Sequence, residues 1–453
     1  MRTLGDLSHD ELAVLVREYL LAGQLMDRAG MPHLISAYGR DAMADIAIDE
    51  WMGASPIYTR RMQRLLGFEG TGVPTIFKGL QLDIGAPPEF MDFRLKVIDD
   101  THGEFWLDHC GALMDVEPMG DDYVHAMCHT IEDPTFDATA IATNRRAQIR
   151  PIHRPPRAPE DRHPHCHWTV TIDDSHPEVP LPEPTSHVER TRLASLELAP
   201  LGAGAADAEL ADGWNAYDGA VDPDLQTEQF STAALRAMAD EVCVQQHLLV
   251  ASFWFAIERR NGLDDALRII EAQFVGIAAL TSQRLRAALF PRGDDGVDQG
   301  VDHGVDHGGA SVRATLDEVA TVLELHPALR PREYVDLHVE LTGRDDDQQL
   351  TLWLGDCPAL HERGFETWIS RLADGHDDGL AAAVWGVTPY GRVERTRTRD
   401  GAVAEWVVSL AAEPSAQPDE VALTRFSTGA DWTFRATPVT LAARRSATED
   451  AGT

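Results

Sequence analysis

Cysteine and histidine, the side chains best suited to binding transition metals and moving protons, are concentrated in one stretch of this 453-residue chain. Ten of the 19 histidines and three of the five cysteines fall between residues 102 and 187. The densest groups lie at 125–129 and 163–167. Zinc and iron both accept mixed sulfur and nitrogen ligands. The composition of this stretch therefore predicts a zinc or iron site.

The spacing of these residues predicts that three thiols converge where a helix meets a sheet. On a helix that starts near Gly120, Cys128 lies on the apolar face, beside a face shared by positions 125, 129 and 132. On a strand that starts at Cys166, this residue alternates inward with Trp168. We expect the metal ligands to be Cys110, Cys128, His129, His165, Cys166 and His167.

A purely apolar role is the competing interpretation of the cysteines, because free Cys is among the most frequently buried residue types. The second half of the chain favours it. There, Leu372 stands where Cys128 stands in the first half, and Ala404 stands where Cys166 stands. The sequence leaves both interpretations open.

Acidic and basic residues near the cysteines could complete a catalytic site. A zinc-bound water has a pKa near 7 and can act as a nucleophile, and Glu132 or Asp133 would then take its proton. Arg150, His153 and Arg154 form a basic group that could hold the carboxylate or phosphate of a ligand or cofactor. The alternative is that these basic residues balance the acidic surface around them.

The elements that position these residues follow from local patterns. Ser8 and Glu11 form a capping-box pattern that predicts a helix over residues 9–28. Two further helices are predicted at 33–51 and 58–66. Alternating apolar residues predict a hairpin that turns at 99–103, and strands at 136–143, 147–153 and 166–172.

Blocks of the first half recur in the same order in the second half. Residues 87–93 resemble 331–337, 105–113 resemble 352–360, and 168–172 resemble 406–410, while 28–31 resemble 260–263. Four matches in series predict a tandem duplication. The fold class is α+β, with each copy built from N-terminal helices packed on an antiparallel sheet.

The repeat divides the chain into segments. Copy one, with the Cys- and His-rich site, spans 1–173, and a Pro-rich linker spans 174–225. Copy two spans 226–437 and carries a flexible Gly- and Asp-rich insertion at 293–309. The tail, 438–453, is predicted to be disordered.

The overall charge restricts the class of partner. Asp and Glu number 74 against 39 Lys and Arg, a formal net charge of -35. Such a surface repels nucleic acid and anionic lipid, so we expect neither as a partner. With no apolar signal core at the N-terminus and no apolar run of about 18 residues, we expect a cytoplasmic protein. Its oligomeric state stays open.

The order of elements around Cys110, Cys128 and the Pro164–Trp168 segment resembles vinyl-reductase-type ligand-binding domains and L-2-aminothiazoline-4-carboxylate hydrolase-like proteins. In those families a Cys closes the hairpin, another lies on or after the next helix, and a third precedes a final aromatic strand. The resemblance covers residues 20–172 and, more faintly, 240–410. It implies that Cys110, Cys128 and Cys166 are the metal-binding or active-site cysteines.

Two functions are consistent with these observations. The first is a metal-dependent enzyme, a hydrolase acting on a small organic molecule, with its site in copy one. The alternative is a non-catalytic protein that binds or senses a small molecule and uses the metal structurally. Four protein ligands around the metal would favour the structural role, and three with an open position would favour catalysis.

Overall fold

The computed structural model describes residues 1–201, 212–291, 314–343 and 347–427. The insertion predicted at 293–309 and the tail predicted at 438–453 lie outside the described residues. Within them, no helix combines the length and the apolar character that a membrane span requires.

The first half begins with long helices and continues into a sheet interrupted by short helices. Its helices are α1 (His9–Tyr38), α2 (Arg40–Leu65), α3 (Val73–Gln81), α4 (Gly111–Val116), α5 (Asp121–His125), α6 (Glu132–Ile141) and α7 (Glu183–Val188), with a π-helical turn at Ala126–Ile131 between α5 and α6. Its strands are β1 (Met91–Val97), β2 (His102–Cys110), β3 (Ala147–His153) and β4 (Cys166–Ile172).

The second half contains the same kinds of element in the same order. Its helices are α8 (Thr232–Asn261), α9 (Leu263–Leu289), α10 (Leu316–Glu324), α11 (Trp368–Ala373), α12 (Asp378–Val387) and α13 (Asp419–Ser427). Its strands are β5 (Leu337–Thr342), β6 (Gln349–Leu354), β7 (Gly391–Arg395) and β8 (Ala404–Leu410). The fold is therefore α+β, with helices and antiparallel strands in both halves.

The two sheets have the same topology. Their strand orders are β1-β2-β4-β3 and β5-β6-β8-β7, and all neighbouring strands are antiparallel. The registers also correspond, since Phe105 lies opposite Trp168 in the first sheet and Leu352 lies opposite Trp406 in the second. In the first half, α6 packs on β3 and lies between the sheet and α2.

The hairpin and the strands predicted at 147–153 and 166–172 are confirmed, and so is the Ser8 cap, whose hydroxyl accepts a hydrogen bond from the Glu11 amide. The strand predicted at 136–143 is wrong, because this segment belongs to helix α6. Pro134 lies near the start of α6, just after the π-helical turn, and Phe136 and Ala140 share a buried face.

The helix boundaries predicted between residues 28 and 58 are also wrong. α1 continues to Tyr38 and ends at Gly39, whose φ of 82° suits glycine. α2 then runs through Pro56 without interruption. In the second half, α8 ends in the same way at Gly262, with φ 90°. Gly39 therefore corresponds to Gly262, and the match of 28–31 with 260–263 was out of register.

The long helices of each half pack on those of the other half more than on their own sheet. α2 packs on α8, and α9 packs on α1 in the reciprocal arrangement. Two buried ion pairs follow the same exchange. Arg61 Nε donates to Glu241 at 2.7 Å, and Arg284 Nε donates to Glu18 at 2.8 Å. Glu241 follows Glu18 by the same number of residues as Arg284 follows Arg61, so the two ion pairs join corresponding positions of the two halves. Such reciprocal contacts indicate an approximate two-fold axis between the helices of the two halves.

The segment predicted as a linker contains packed structure in its described part. α7 packs on α2 and α8, and Thr185 and Val188 are completely buried. In the second half, α13 packs reciprocally on α9 and α1. Both contacts occur at a glycine: a Cβ atom on Gly53 of α2 would lie 3.4 Å from Pro184 Cβ of α7, and one on Gly276 of α9 would lie 2.0 Å from Thr424 Oγ1 of α13.

Candidate functional site

A cavity of about 640 Å³ lies in the first half, between α1, α2, β1 and the helical segment from Gly111 to Ile141. Cavities of roughly 300–1,000 Å³ are typical of small-molecule sites. Its lining is rich in methionine, since six of the eleven methionines of the chain contribute to it: Met31, Met43, Met91, Met114, Met119 and Met127. Flexible thioether side chains can adapt to the shape of an apolar ligand.

Aromatic rings form a second part of the lining. Trp51 and Tyr58 come from α2, Phe93 from β1, Tyr123 from α5 and Phe136 from α6. Phe136 also contacts Phe93 edge-on, with ring centroids 6.4 Å apart. The walls are thus supplied by four different elements, and their position depends on the fold of the whole first half.

Carboxyl groups enter this largely apolar lining from several elements. Asp27 of α1 accepts a hydrogen bond from Trp51 Nε1 at 3.1 Å. Asp83 accepts one from the Tyr58 hydroxyl at 2.8 Å, and burial raises its pKa to about 6. Asp115 forms an ion pair of 2.5 Å with Arg28, and both side chains are buried.

Behind Asp27 lies Glu50, which is completely buried. Burial raises the pKa of Glu50 well above its usual range, and the adjacent carboxylate of Asp27 raises it further. Two neighbouring buried carboxyl groups cannot both ionise without a large electrostatic cost. Burial and this repulsion both favour the protonated form of Glu50.

Glu132 is the carboxyl group that connects the cavity with the cysteines. It is the first residue of α6, directly after the π-helical turn, and only 6% of its surface is exposed. Burial raises its pKa to about 8, although Arg154 acts in the opposite direction. Among the described residues, its Oε2 atom has no hydrogen-bond partner. Such an unsatisfied buried polar atom costs about 1–3 kcal/mol, and a ligand could supply the missing partner.

The structure brings Cys110, Cys128 and Cys166 together around Glu132, and all three thiols are buried. Burial raises the pKa of Cys110 to about 12, with Glu132 adding to the shift. The pKa values of Cys128 and Cys166 are raised in the same way. The thiols are therefore protonated at neutral pH and behave as small apolar groups.

The histidines predicted as ligands have other contacts. His129 Nε2 lies 2.7 Å from the carbonyl oxygen of Pro155, and His167 Nε2 lies 3.2 Å from a carboxylate oxygen of Glu104. His165 is buried, which lowers its pKa to about 4. In the described part of the chain, no group of three or more His, Cys, Asp or Glu side chains is arranged to hold a metal ion. The residues as placed do not fit a metal site, and zinc or iron stays a prediction from the sequence.

The remaining predicted site residues lie outside the cavity lining. Asp133 pairs with Arg154, and Arg150 binds both carboxylate oxygens of Asp137 at 2.9 Å. His153 Nε2 lies 3.1 Å from the carbonyl oxygen of Pro164. These pairings agree with the interpretation that the basic group balances neighbouring acids.

The sequence patterns did not identify the residues of α1 and α2 that line the cavity. Asp27 and Arg28 interrupt an otherwise buried helix, and Glu50 lies next to Trp51 in the same kind of environment. Ionisable residues within a buried helical segment are rare and are a recognisable signal of a polar site. That signal could be read only once these helices were known to be buried on most sides.

In the second half, larger apolar side chains occupy the positions that correspond to the cavity. Counting from Gly39 and Gly262, Met31 corresponds to Trp254, Ala47 to Ile270, Trp51 to Phe274 and Asp27 to Val250. Trp368 stacks on Phe274 with ring centroids 4.7 Å apart, and its Nε1 donates to the Ile270 carbonyl. The two halves therefore share a framework but differ at these positions.

Comparisons of this chain with protein-family models, with curated proteins and with solved structures find no match.

Proposed function

We propose that this protein binds an apolar small molecule of about drug size in the cavity of its first half. The observation that carries this proposal is the cavity of about 640 Å³, with its methionine and aromatic walls and a few converging carboxyl groups. Apolar concave sites with a small number of oriented polar groups are the usual form of ligand pockets. The proposal is a binding or sensing function, and it requires no metal ion.

We also propose that the two halves arose by duplication of one ancestral segment. A tandem duplication explains the common strand order, the equivalent helix caps at Ser8 and Ser231, and the reciprocal ion pairs. One copy kept an open cavity, and its twin filled the corresponding space with Trp254, Phe274 and Trp368. We propose that the first copy binds the ligand and that the second copy stabilises the fold.

A variant that copies the filled half into the open half tests the binding function. We expect wild-type protein to bind the neutral dye Nile red with saturable 1:1 stoichiometry, measured by fluorescence titration. The double variant Met31→Trp/Ala47→Ile carries the residues found at 254 and 270, and we expect it to bind the dye at least about tenfold more weakly. Larger side chains remove the space into which the dye inserts.

The matched control is Met62→Leu, which also introduces the residue of the second half, Leu285, but lies outside the cavity lining. It should bind the dye as wild type does. Circular dichroism and thermal unfolding establish that all three proteins are folded. Equal dye binding by the double variant, or no saturable binding by wild type, would contradict the proposal.

A further inference from the structure

The charge of the cavity and the unsatisfied carboxyl group at its wall narrow the class of ligand. We propose that the ligand is an organic cation, an aliphatic or quaternary ammonium group on an apolar body, and that its charged group binds at Glu132. This proposal rests on the proposed binding function and names the substrate class of the same cavity.

The first supporting observation is the imbalance of charge in the lining. Its described residues include four carboxyl side chains, Asp27, Asp83, Asp115 and Glu132, against one basic side chain, Arg28. Arg28 already pairs with Asp115 at 2.5 Å. An anionic ligand would therefore meet three further acidic side chains and a cation that is already neutralised, whereas a cationic ligand meets acidic side chains that have no basic partner in the lining.

The second observation is the state of Glu132 itself. It is more than nine-tenths buried, lines the cavity, and has one carboxyl oxygen that is bonded to no described residue. Asp83, by contrast, already accepts hydrogen bonds from Tyr58 and from the Gly85 amide. Glu132 is thus the acid whose binding capacity is left for a ligand.

The third observation is the set of aromatic rings around these acids. Trp51, Tyr58, Phe93, Tyr123 and Phe136 all line the same cavity. Aromatic faces attract alkylammonium groups through their quadrupoles, most strongly where water is excluded. Aromatic rings with nearby carboxylates are the usual recognition chemistry for such cations.

Binding changes the protonation of Glu132. With a pKa of about 8, the carboxyl group of the free protein holds a proton at pH 7. A quaternary ammonium ion binds best to the carboxylate, so this proton leaves for solvent as the cation enters. The groups that set this equilibrium are Arg154, which favours the carboxylate, and Asp133, which opposes it. The three thiols nearby are uncharged.

The test uses three probes that share one apolar body: (4-phenylbutyl)trimethylammonium, 4-phenylbutanol and 4-phenylbutyrate. Isothermal titration with the full-length protein should give about tenfold tighter binding of the ammonium ion than of the alcohol, and the weakest binding for the carboxylate. Affinity for the ammonium ion should rise by up to about tenfold per pH unit below pH 8 and level off above it.

Glu132→Gln should lose both the preference for the cation and its pH dependence, while it still binds the alcohol. The control Glu160→Gln removes an exposed carboxyl group and should behave as wild type. If the alcohol binds but the cation binds no better, the ligand class is wrong and the binding function stands. If none of the probes binds, both proposals fail. Should Glu132→Gln not fold, the charge series and pH profile of wild type still decide the question.

Discussion

Glu132 is buried with a raised pKa, and this has a consequence for stability as well as for binding. The carboxyl group has a pKa of about 8 in the folded protein, against 4.5 for the unperturbed residue. Between these values the folded chain keeps a proton that the unfolded chain releases. The free energy of unfolding contributed by this group therefore falls as pH rises from about 4.5 to about 8, and changes little outside that window.

Replacing Glu132 with Gln removes this titration while keeping the shape of the side chain. We expect the stability of Glu132→Gln relative to wild type to increase from pH 5 to pH 8 and then to level off. Urea unfolding at pH 5, 7 and 9 measures the difference. Glu160→Gln, at an exposed position, should show no such trend. A constant difference between Glu132→Gln and wild type at all three pH values would show that Glu132 does not titrate as described.

Cys128 provides a second test at the level of single residues. It is buried beside Cys110 and Cys166, and its neighbourhood keeps the thiol protonated. Cys128→Leu, the change suggested by Leu372, should cost about 1–3 kcal/mol through overpacking and leave dye binding unchanged. Elemental analysis should give the same metal content for both proteins. Stoichiometric metal in wild type that is lost in the variant would instead support the metal site predicted from the sequence.

Helix α13 links the second half to the cavity of the first. Leu423 of α13 contributes to the cavity lining, and α13 lies against α9 at Gly276. Gly276→Ala places a methyl group 2.0 Å from Thr424 Oγ1 and 3.2 Å from the Glu420 carbonyl oxygen, so we expect α13 to shift outward. We expect faster amide hydrogen exchange in residues 419–427 and weaker dye binding, measured by mass spectrometry and fluorescence.

The matched control for this helix displacement is Gly219→Ala. A Cβ atom there would have no atom within 4 Å, and its backbone does not require glycine. Exchange in α13 should then equal that of wild type. Unchanged exchange in Gly276→Ala would mean that Thr424 can rotate away and that the glycine is not needed for this contact.

Sequence patterns predicted some elements well and others poorly, for identifiable reasons. The strands at 147–153 and 166–172 show an alternation of buried and exposed positions with period two, and their predicted boundaries were correct. The break at Gly39 was missed because α1 is buried on most of its circumference, which removes the amphipathic signal that marks a helix end. The expectation that three thiols converge rested on the periodicity of one helix and one strand.

The cavity could not be predicted in the same way. Its walls come from α1, α2, β1 and α6, which are far apart in sequence, and from Leu423 in the other half. The volume of the cavity depends on the size of side chains that come together only after folding, such as Met31 and Ala47. Local spacing describes which residues share a face, but it does not describe which faces leave a gap between them.

At the scale of the whole molecule, the reciprocal ion pairs lead to a prediction about the isolated first half. Glu18 and Arg61 both belong to it, although each pairs with the other half in the full chain. Residues 1–201 expressed alone therefore carry both partners of a symmetric contact. We expect this fragment to form a dimer, measured by light scattering, in which Arg61 of each copy pairs with Glu18 of the other.

Charge reversal tests that geometry. Glu18→Arg should prevent dimerisation, because an unpaired buried charge costs roughly 3–5 kcal/mol and here faces a like charge. The double reversal Glu18→Arg/Arg61→Glu restores opposite charges and should restore the dimer. A fragment that is a folded monomer, or a double reversal that stays dissociated, would argue against the two-fold relation as the source of stability.

Joining two halves of the same sheet topology in one polypeptide also changes how the protein can vary. In a symmetric dimer encoded by a single short gene, every amino-acid change appears twice and alters both sites together. Here, a change at Met31 leaves Trp254 unchanged. One half can therefore keep a cavity while the corresponding space of the other half is filled by large side chains. Close packing around Trp368 in the second half supplies stability that the half with the cavity lacks. The second half can therefore offset the loss of stability from a mutation that enlarges the cavity, and it stays attached at any protein concentration.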